Sequence, residues 1–200
     1  MRASSINIQL ASRYSNLMMP LEGIRVLDLS RILAGPHAAQ SLSDLGADVI
    51  KVEAPWGDDS RTWGPPFQQG FDGGEVASYF LSCNRGKKIV FANLKNERER
   101  VRSLMDTVDV VIENFKPGAF DRLLGPVKPD LIVCSISGYG QEGPRRDEPA
   151  FDLTMQARSG IMSVTGEEDG PPAKVGVAWI DVMTGMNAVS SILALSLIHI

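Results

Sequence analysis

Three segments of this 200-residue chain hold residue types that can bind an anionic ligand. They are Ser30-Arg31-Ile32-Leu33-Ala34-Gly35-Pro36, residues 113–122 with Glu113, Asn114, Phe115, Lys116, Pro117 and Arg122, and Ser137-Gly138-Tyr139-Gly140-Gln141-Glu142-Gly143-Pro144. Each follows a short apolar run, at residues 24–29, 109–112 and 131–136. In open α/β sheets, ligands bind outside the carboxyl ends of the strands, so these loops are where chemistry is expected. Lys116 and Arg122 flank a helix start at Pro117, where free N–H groups and partial positive charge favour a phosphate. The alternative is a solvated helix arginine and a loop lysine. Asn84-Arg85-Gly86-Lys87-Lys88 offers the same choice between a phosphate site and a polar turn before the apolar residues 89–91.

Asp181 is the remaining candidate. It follows an apolar run and precedes a helical stretch over residues 186–197, which puts its carboxylate at or near a helix N-terminus. Two readings stay open: an N-cap aspartate, or a nucleophile held by helix N–H groups in apolar surroundings. His37 and His199 are the only histidines, so neither a His-rich metal site nor a Ser-His-Asp triad is expected and catalysis falls to carboxylates or backbone donors. Cys83 and Cys134 form no CxxC pair, which disfavours a zinc ribbon or disulfide scaffold and fits a reducing compartment. Gly138-Tyr139-Gly140-Gln141-Glu142-Gly143 has the spacing of the dinucleotide fingerprint, but Pro144 to Pro149 continue it as a loop and not as an apolar helix. The first strand lacks the pattern as well, so no NAD site is expected.

The elements that position these residues alternate strand and helix. Residues 24–29 and 47–52 read as strands; between them Pro36 stands at a first helical position, Ala38, Leu42 and Leu45 recur at helical spacing, and Gly46 suits a left-handed cap. Further on, Asn96 caps a helix with Glu99 at its third position and Val101, Leu104 and Met105 as its buried stripe, and Pro117 opens a short helix carrying Leu123 and Leu124. Near-continuous apolar strands separated by helices predict an α/β fold, a Rossmann-like open parallel sheet with flanking helices. Composition agrees: 44% hydrophobic and 22% charged residues describe a globular chain, and a net charge of −4 leaves no basic stripe for nucleic acid. The most apolar stretch, residues 186–200, falls short of the roughly 20 residues of a membrane span, so no membrane partner is expected. Residues 1–19, with Arg2, Arg13 and four serines but no acid, read as a flexible tail or a mitochondrial presequence.

Taken together, PLEGIRVLDLSR (20–31), LAGP (33–36), LGADVIKVE (45–53), ENFKPG (113–118), SGYG (137–140) and Asp181 with Thr184 and Gly185 closely resemble the family III, or CaiB/BaiF-type, CoA-transferases. The resemblance implies that Asp181 is the nucleophile, attacking an acyl-CoA thioester to form a mixed anhydride and then an aspartyl-CoA thioester. It also implies that CoA lies along Leu33, Ala34, Asn93, Leu94, Lys95, Asn114, Phe115, Lys116, Arg122, Ser137, Gly138, Tyr139 and Gly140, with Lys116 and Arg122 on phosphates. Some relatives carry His in place of Arg31 and Lys in place of Ser137, so nucleotide contacts there are expected to differ. CoA would be substrate and product, with no permanently bound cofactor and no metal. GDDSRTWGPPF (57–67) looks most like the glutarate and dicarboxylate enzymes and makes Arg61 either a substrate-side cation or a structural arginine in a turn.

The implied reaction is transfer of CoA from an acyl-CoA, succinyl-CoA foremost, to a carboxylic acid. An acyl-CoA racemase of the same superfamily is the rival, but it needs a histidine before Asp152, where this chain has Phe151. Family members continue beyond Ile200 and interlock as homodimers, so residues 20–200 are expected to be the N-terminal portion of the large domain, and residues 195–200 look unlike the family. A truncated, inactive CoA-binding fragment is therefore a third reading. The expected location is the cytoplasm or the mitochondrial matrix.

Overall fold

The computed structural model describes residues 19–70 and 73–199, so the tail or presequence reading of residues 1–19 lies almost wholly outside the described residues. The elements are β1 (Arg25–Asp28), α1 (Ala34–Asp44), β2 (Asp48–Glu53), β3 (Phe67–Gln69), β4 (Glu75–Ala77), α2 (Ser78–Ser82), β5 (Lys88–Phe91), α3 (Arg98–Met105), β6 (Val110–Glu113), α4 (Ala119–Leu124), β7 (Ile132–Ser135), α5 (Asp152–Arg158) and α6 (Trp179–His199). Five parallel strands make one sheet in the order β5-β2-β1-β6-β7, and β3 and β4 form a separate antiparallel pair. The strand order reverses next to β1, which creates the crevice where such sheets bind ligands.

Adjacent strand residues point to opposite faces, and the two cores divide accordingly. Val26, Val49, Val110 and Ile132 face α1 and α6, meeting Ala38, Leu42, Ala188 and Ile192. Leu27, Ile50 and Val111 face α3 and α4, meeting Val101, Met105, Phe120 and Leu124. Each fully buried aliphatic contributes about 1.5–3 kcal/mol, so the sheet is stabilised from both sides. This is the α/β architecture expected of the strand pattern.

Several boundaries differ from the sequence reading. Helix α1 begins at Ala34, so Pro36 is its third residue; the chain enters through Ile32, whose φ of 72° is left-handed. Gly46 does end that helix at φ 103°, and a Cβ there would lie 2.2 Å from the Met19 Cβ. Asn96 caps nothing: α3 starts at Arg98, after a turn in which Glu97 Oε2 accepts the Asn93 N–H (2.9 Å) and Asn93 Oδ1 accepts the Lys95 N–H (3.0 Å). Pro117 stays in the loop, because Gly118 at φ 72° turns the chain into α4.

The largest correction concerns α6, which begins at Trp179 and not near Met186. Trp179–Ile198 is long and apolar enough to cross a membrane by length and composition, overturning the expectation that no stretch reaches that length. Asp181, Thr184, Gly185 and Asn187 interrupt the apolar pattern, so the sequence reads an apolar run before Asp181 and a helix only over residues 186–197. In the fold its Ala188 and Ile192 are buried beside α1, and Gly185 permits the close approach: a Cβ there would sit 2.8 Å from the Ala34 carbonyl oxygen and 2.9 Å from His37.

Candidate active site

A cleft of about 560 Å³ opens at the carboxyl ends of β1, β6 and β7. Ile32, Leu33 and Ala34 form one side; Asn114, Phe115, Lys116 and Pro117 form the next; Ile136, Ser137 and Gly138 complete the strand-end rim. The loop 146–152 faces them, and Ile180, Asp181 and Thr184 of α6 close the site. Of the sequence-predicted residues, Leu33, Ala34, Asn114, Phe115, Lys116, Ser137, Gly138 and Asp181 therefore share one cavity.

The rim is built from cross-linked backbone. Asn114 Oδ1 accepts the Arg31 N–H (3.0 Å) and its Nδ2 donates to the Arg31 carbonyl (2.8 Å). The Phe115 N–H donates to buried Glu113 Oε2 at 2.6 Å. Burial pushes the Glu113 carboxyl above its ordinary range, and hydrogen bonds from Ser135 and the Phe115 N–H oppose that. Gly138 is needed because a Cβ there would fall 2.0 Å from the Ala150 Cβ, where the facing loop comes in.

Beneath the first rim segment lies a layer of buried charge. Lys51, with no solvent exposure, donates to the Ser30 carbonyl (2.8 Å) and pairs with Asp58 (3.2 Å) and Asp28 (3.9 Å). Burial alone would depress its ammonium, but Asp28 and Asp58 outweigh burial and hold it above the ordinary lysine range. Asp58 in turn receives the Ile32 N–H at 3.3 Å, holding a β-branched residue in a left-handed conformation that it does not favour. The same network extends to Lys87, which donates to Asp28 (2.8 Å), the Pro36 carbonyl (2.9 Å) and Asn84 (2.9 Å). The residue 84–88 segment thus places Asn84 and Lys87 in a structural role.

Asp181 is not a helix cap. It is the third residue of α6, half-buried on the cleft wall, and the side chain that receives the first-turn N–H groups comes from α5: Asp152 Oδ1 accepts from Ile180 (2.8 Å) and Asp181 (3.2 Å). Burial first and the neighbouring Asp152 charge second push the Asp181 carboxyl up to about 6. Such a group is ionised at neutral pH yet more basic than an ordinary aspartate, which suits a nucleophilic carboxylate.

The other predicted residues stand outside the cavity. Arg122 lines a separate hollow of about 380 Å³ with Arg98, Glu99 and Arg102. Asn93 is engaged in the turn before α3, Leu94 packs against the core and Lys95 is exposed. Tyr139 lies beneath the Arg158 guanidinium at 5.5 Å, and Gly140 turns the loop at φ 80°. Arg61 is committed to Glu53 through Nε (2.7 Å) and Nη2 (2.9 Å) and stacks on Phe80 at 3.8 Å, the geometry of the structural alternative. Among the described residues, the buried Ser137 Oγ and Tyr139 Oη have no hydrogen-bond partner, and no three His, Cys, Asp or Glu are placed to hold a metal ion.

Sequence reasoning did not single out Asp152, whose carboxylate caps the first turn of α6, and passed over Arg146, which joins Arg31 and Lys116 as a cation on the cleft wall. Arg146 sits in the stretch read only as loop. The available signal for Asp152 was its i,i+4 spacing to Gln156, whose Nε2 donates to its other carboxylate oxygen at 2.6 Å.

Residues 21–198 match the profile of CoA-transferase family III. The chain is 50% identical over 194 residues to the succinate–glutarate CoA-transferase of Agrobacterium fabrum, covering 92% of this chain and 48% of that protein. It is 44% identical over 188 residues to the human succinyl-CoA:glutarate CoA-transferase, covering 90% of this chain and 42% of the human one. A crystal structure of a CaiB/BaiF family protein from Brucella suis superposes with a TM-score of 0.86 at 47% identity, over 90% of this chain and 50% of that one. The chain thus spans about half the length of these relatives. The profile match takes in every loop that lines the cleft together with Asp181, and it makes this chain a member of CoA-transferase family III.

Proposed function

We propose that this protein transfers CoA from succinyl-CoA to a dicarboxylic acid of glutarate type, with Asp181 as the nucleophile. The observation that carries the reading is the half-buried Asp181 carboxylate, pushed up to about 6, in the same cleft as the rim residues that the family resemblance gives to CoA. An Asp181 oxygen attacks the thioester carbonyl; the C–S bond breaks, CoA leaves as thiolate, and a mixed anhydride remains on the enzyme. The thiolate then attacks Cγ of Asp181, expelling the donor acid as carboxylate and leaving an aspartyl-CoA thioester. The acceptor carboxylate attacks that thioester, and the released thiolate takes the acceptor's acyl carbon, returning Asp181 to its carboxylate. No proton need be moved, and among the described residues the cleft lining holds no histidine.

Lys116, Arg31 and Arg146 supply positive charge for the CoA phosphates, and the free Ser137 Oγ offers a polar contact within the rim. Lys95, Arg122 and Tyr139 contact CoA in this proposal only where the ligand extends past the cavity. The relatives' names support the dicarboxylate choice, and the second copy of an interlocked homodimer belongs to the same reading. Racemisation is disfavoured by Phe151, 75% exposed where a second base would stand. The test is incubation with succinyl-CoA and glutarate, followed chromatographically as glutaryl-CoA. Transfer that survives in Asp181→Ala overturns the assignment, and α-deuterium wash-in without CoA exchange would install the racemase instead.

A further inference from the structure

Helices α5 and α6 meet through a small polar joint. Asp152, the first residue of α5, accepts the Ile180 and Asp181 N–H groups on Oδ1 at 2.8 and 3.2 Å. Its Oδ2 accepts from Gln156 Nε2 at 2.6 Å. Gln156 is 1% exposed; its Nε2 also donates to the Val177 carbonyl (3.1 Å), and its Oε1 accepts the Val175 N–H (2.8 Å). Two side chains one helical turn apart on α5 thus hold the whole entry to α6, from Val175 to Asp181.

The arrangement decides what Asp181 experiences. Unpaired N–H groups in the first turn of a helix ordinarily stabilise a carboxylate there. Here the Ile180 and Asp181 N–H groups are given to Asp152, and a second negative charge is set beside Asp181. The net effect opposes neutralisation by the helix. Formation of an anhydride or thioester removes the Asp181 charge and with it the repulsion, so the like-charge pair favours acylation over the resting carboxylate.

We propose that Asp152 is a positioning residue for the nucleophile: it fixes the first turn of α6, withholds that turn's N–H groups from Asp181, and sets a second carboxylate beside it on the cleft wall. This rests on the reading of Asp181 as nucleophile. Among the described residues, Asp152 from α5 and Tyr79 from α2 interact with the Asp181 charge, while Arg31, Lys116, Arg146, Asp147 and Glu148 line the same cleft; burial and then the Asp181 charge push the Tyr79 phenol up to about 12, so it stays neutral throughout the working range.

The experiment compares wild type with Asp152→Asn, Asp152→Ala and Asp181→Asn by carboxyl-carbon NMR titration and by pH profiles of CoA transfer. Asparagine keeps the Oδ1 acceptor and removes the charge, so Asp152→Asn is expected to lower the Asp181 midpoint by about one pH unit, to move the acid limb of kcat/KM with it, and to slow kcat about tenfold with a smaller change in KM. Asp152→Ala loses the cap as well and melts earliest; Asp152→Asn keeps the Oδ1 cap but loses the Oδ2 acceptor for Gln156, so it recovers part of the melting temperature without restoring kcat. An unchanged Asp181 midpoint in Asp152→Asn overturns the proposal. Should that variant precipitate, Asp152→Glu, which moves the charge without removing it, is titrated in its place, and an unchanged Asp181 midpoint overturns the proposal equally. If Asp181 is not the nucleophile, Asp181→Asn retains transfer while the NMR coupling persists, so the two failures look different.

Discussion

Asn114 holds the backbone of Arg31 on both sides, accepting its N–H at 3.0 Å and donating to its carbonyl at 2.8 Å, as a neighbouring strand would. The contact joins the loop after β1 to the loop after β6 across the crevice where the strand order reverses. Because both ends of the Asn114 amide are engaged, its part in the proposed function is to shape the rim.

Asn114→Ala should therefore loosen the rim more than the fold. Both Arg31 groups lie near solvent and can be rehydrated, so the stability loss is expected to be about 1 kcal/mol, and the CoA affinity loss several-fold. Asn114→Asp keeps the acceptor and loses the donor, and should fall between. Calorimetric titration with CoA alongside thermal melts checks the order; equal affinities in the three proteins would remove the role.

Arg61 gives a contrasting prediction. With its fork on Glu53 and its plane on Phe80, Arg61→Met should act on folding: about 1–3 kcal/mol lost, since Glu53 is 3% exposed and would be left without its cation. The acceptor KM should change little. A selective rise in the KM for the dicarboxylate, at unchanged stability, would return Arg61 to the substrate side.

The contrast between these residues shows what could be seen in the sequence. The strands were legible because both faces of a parallel sheet are buried, and runs such as residues 110–112 have no polar phase to confuse their reading. Gly46 was legible because a left-handed stop is a property of the residue itself. The Asn96 cap failed because Glu97 and Asn93 closed the turn locally in another way, and α6 was misplaced because its first turn is capped by Asp152 from 28 residues upstream. Spacing cannot show a cap delivered from another helix, nor that Arg61 turns toward Glu53 and Arg122 toward the hollow with Arg98 and Arg102. The cleft residues were found by motif; their partners needed the fold.

Lys51 is the test of the buried layer under the rim. Lys51→Met leaves Asp28 and Asp58 facing each other with only Lys87 nearby, and breaking a buried pair from one side costs about 3–5 kcal/mol. Since Asp58 also holds the strained Ile32, the variant should lose CoA affinity along with stability. The double change Lys51→Met with Asp58→Asn should recover part of the stability and none of the affinity, as read by denaturant melts and CoA titration. Full recovery of both would detach Asp58 from the rim.

Asp181 should make the fold less stable in exchange for its reactivity. Its carboxyl is raised from 3.8 to about 6, chiefly by burial and then by Asp152, so between those values the folded chain binds a proton that the unfolded chain has released. The contribution is therefore most favourable below the unfolded value and is lost as pH rises through about 6. A shift of roughly two units sets a ceiling near 3 kcal/mol, and partial solvent access brings the expected figure to about 1–2 kcal/mol. Asp181→Asn, which removes the charge and nearly preserves the shape, should be more stable than wild type by that amount at pH 8, and the advantage should vanish at pH 4. Urea melts of the two proteins at both pH values isolate the single group from the other carboxylates. An advantage that is the same at pH 4 and pH 8 would mean that the Asp181 charge is already compensated in the fold, and that Asp152 does not act on it through repulsion.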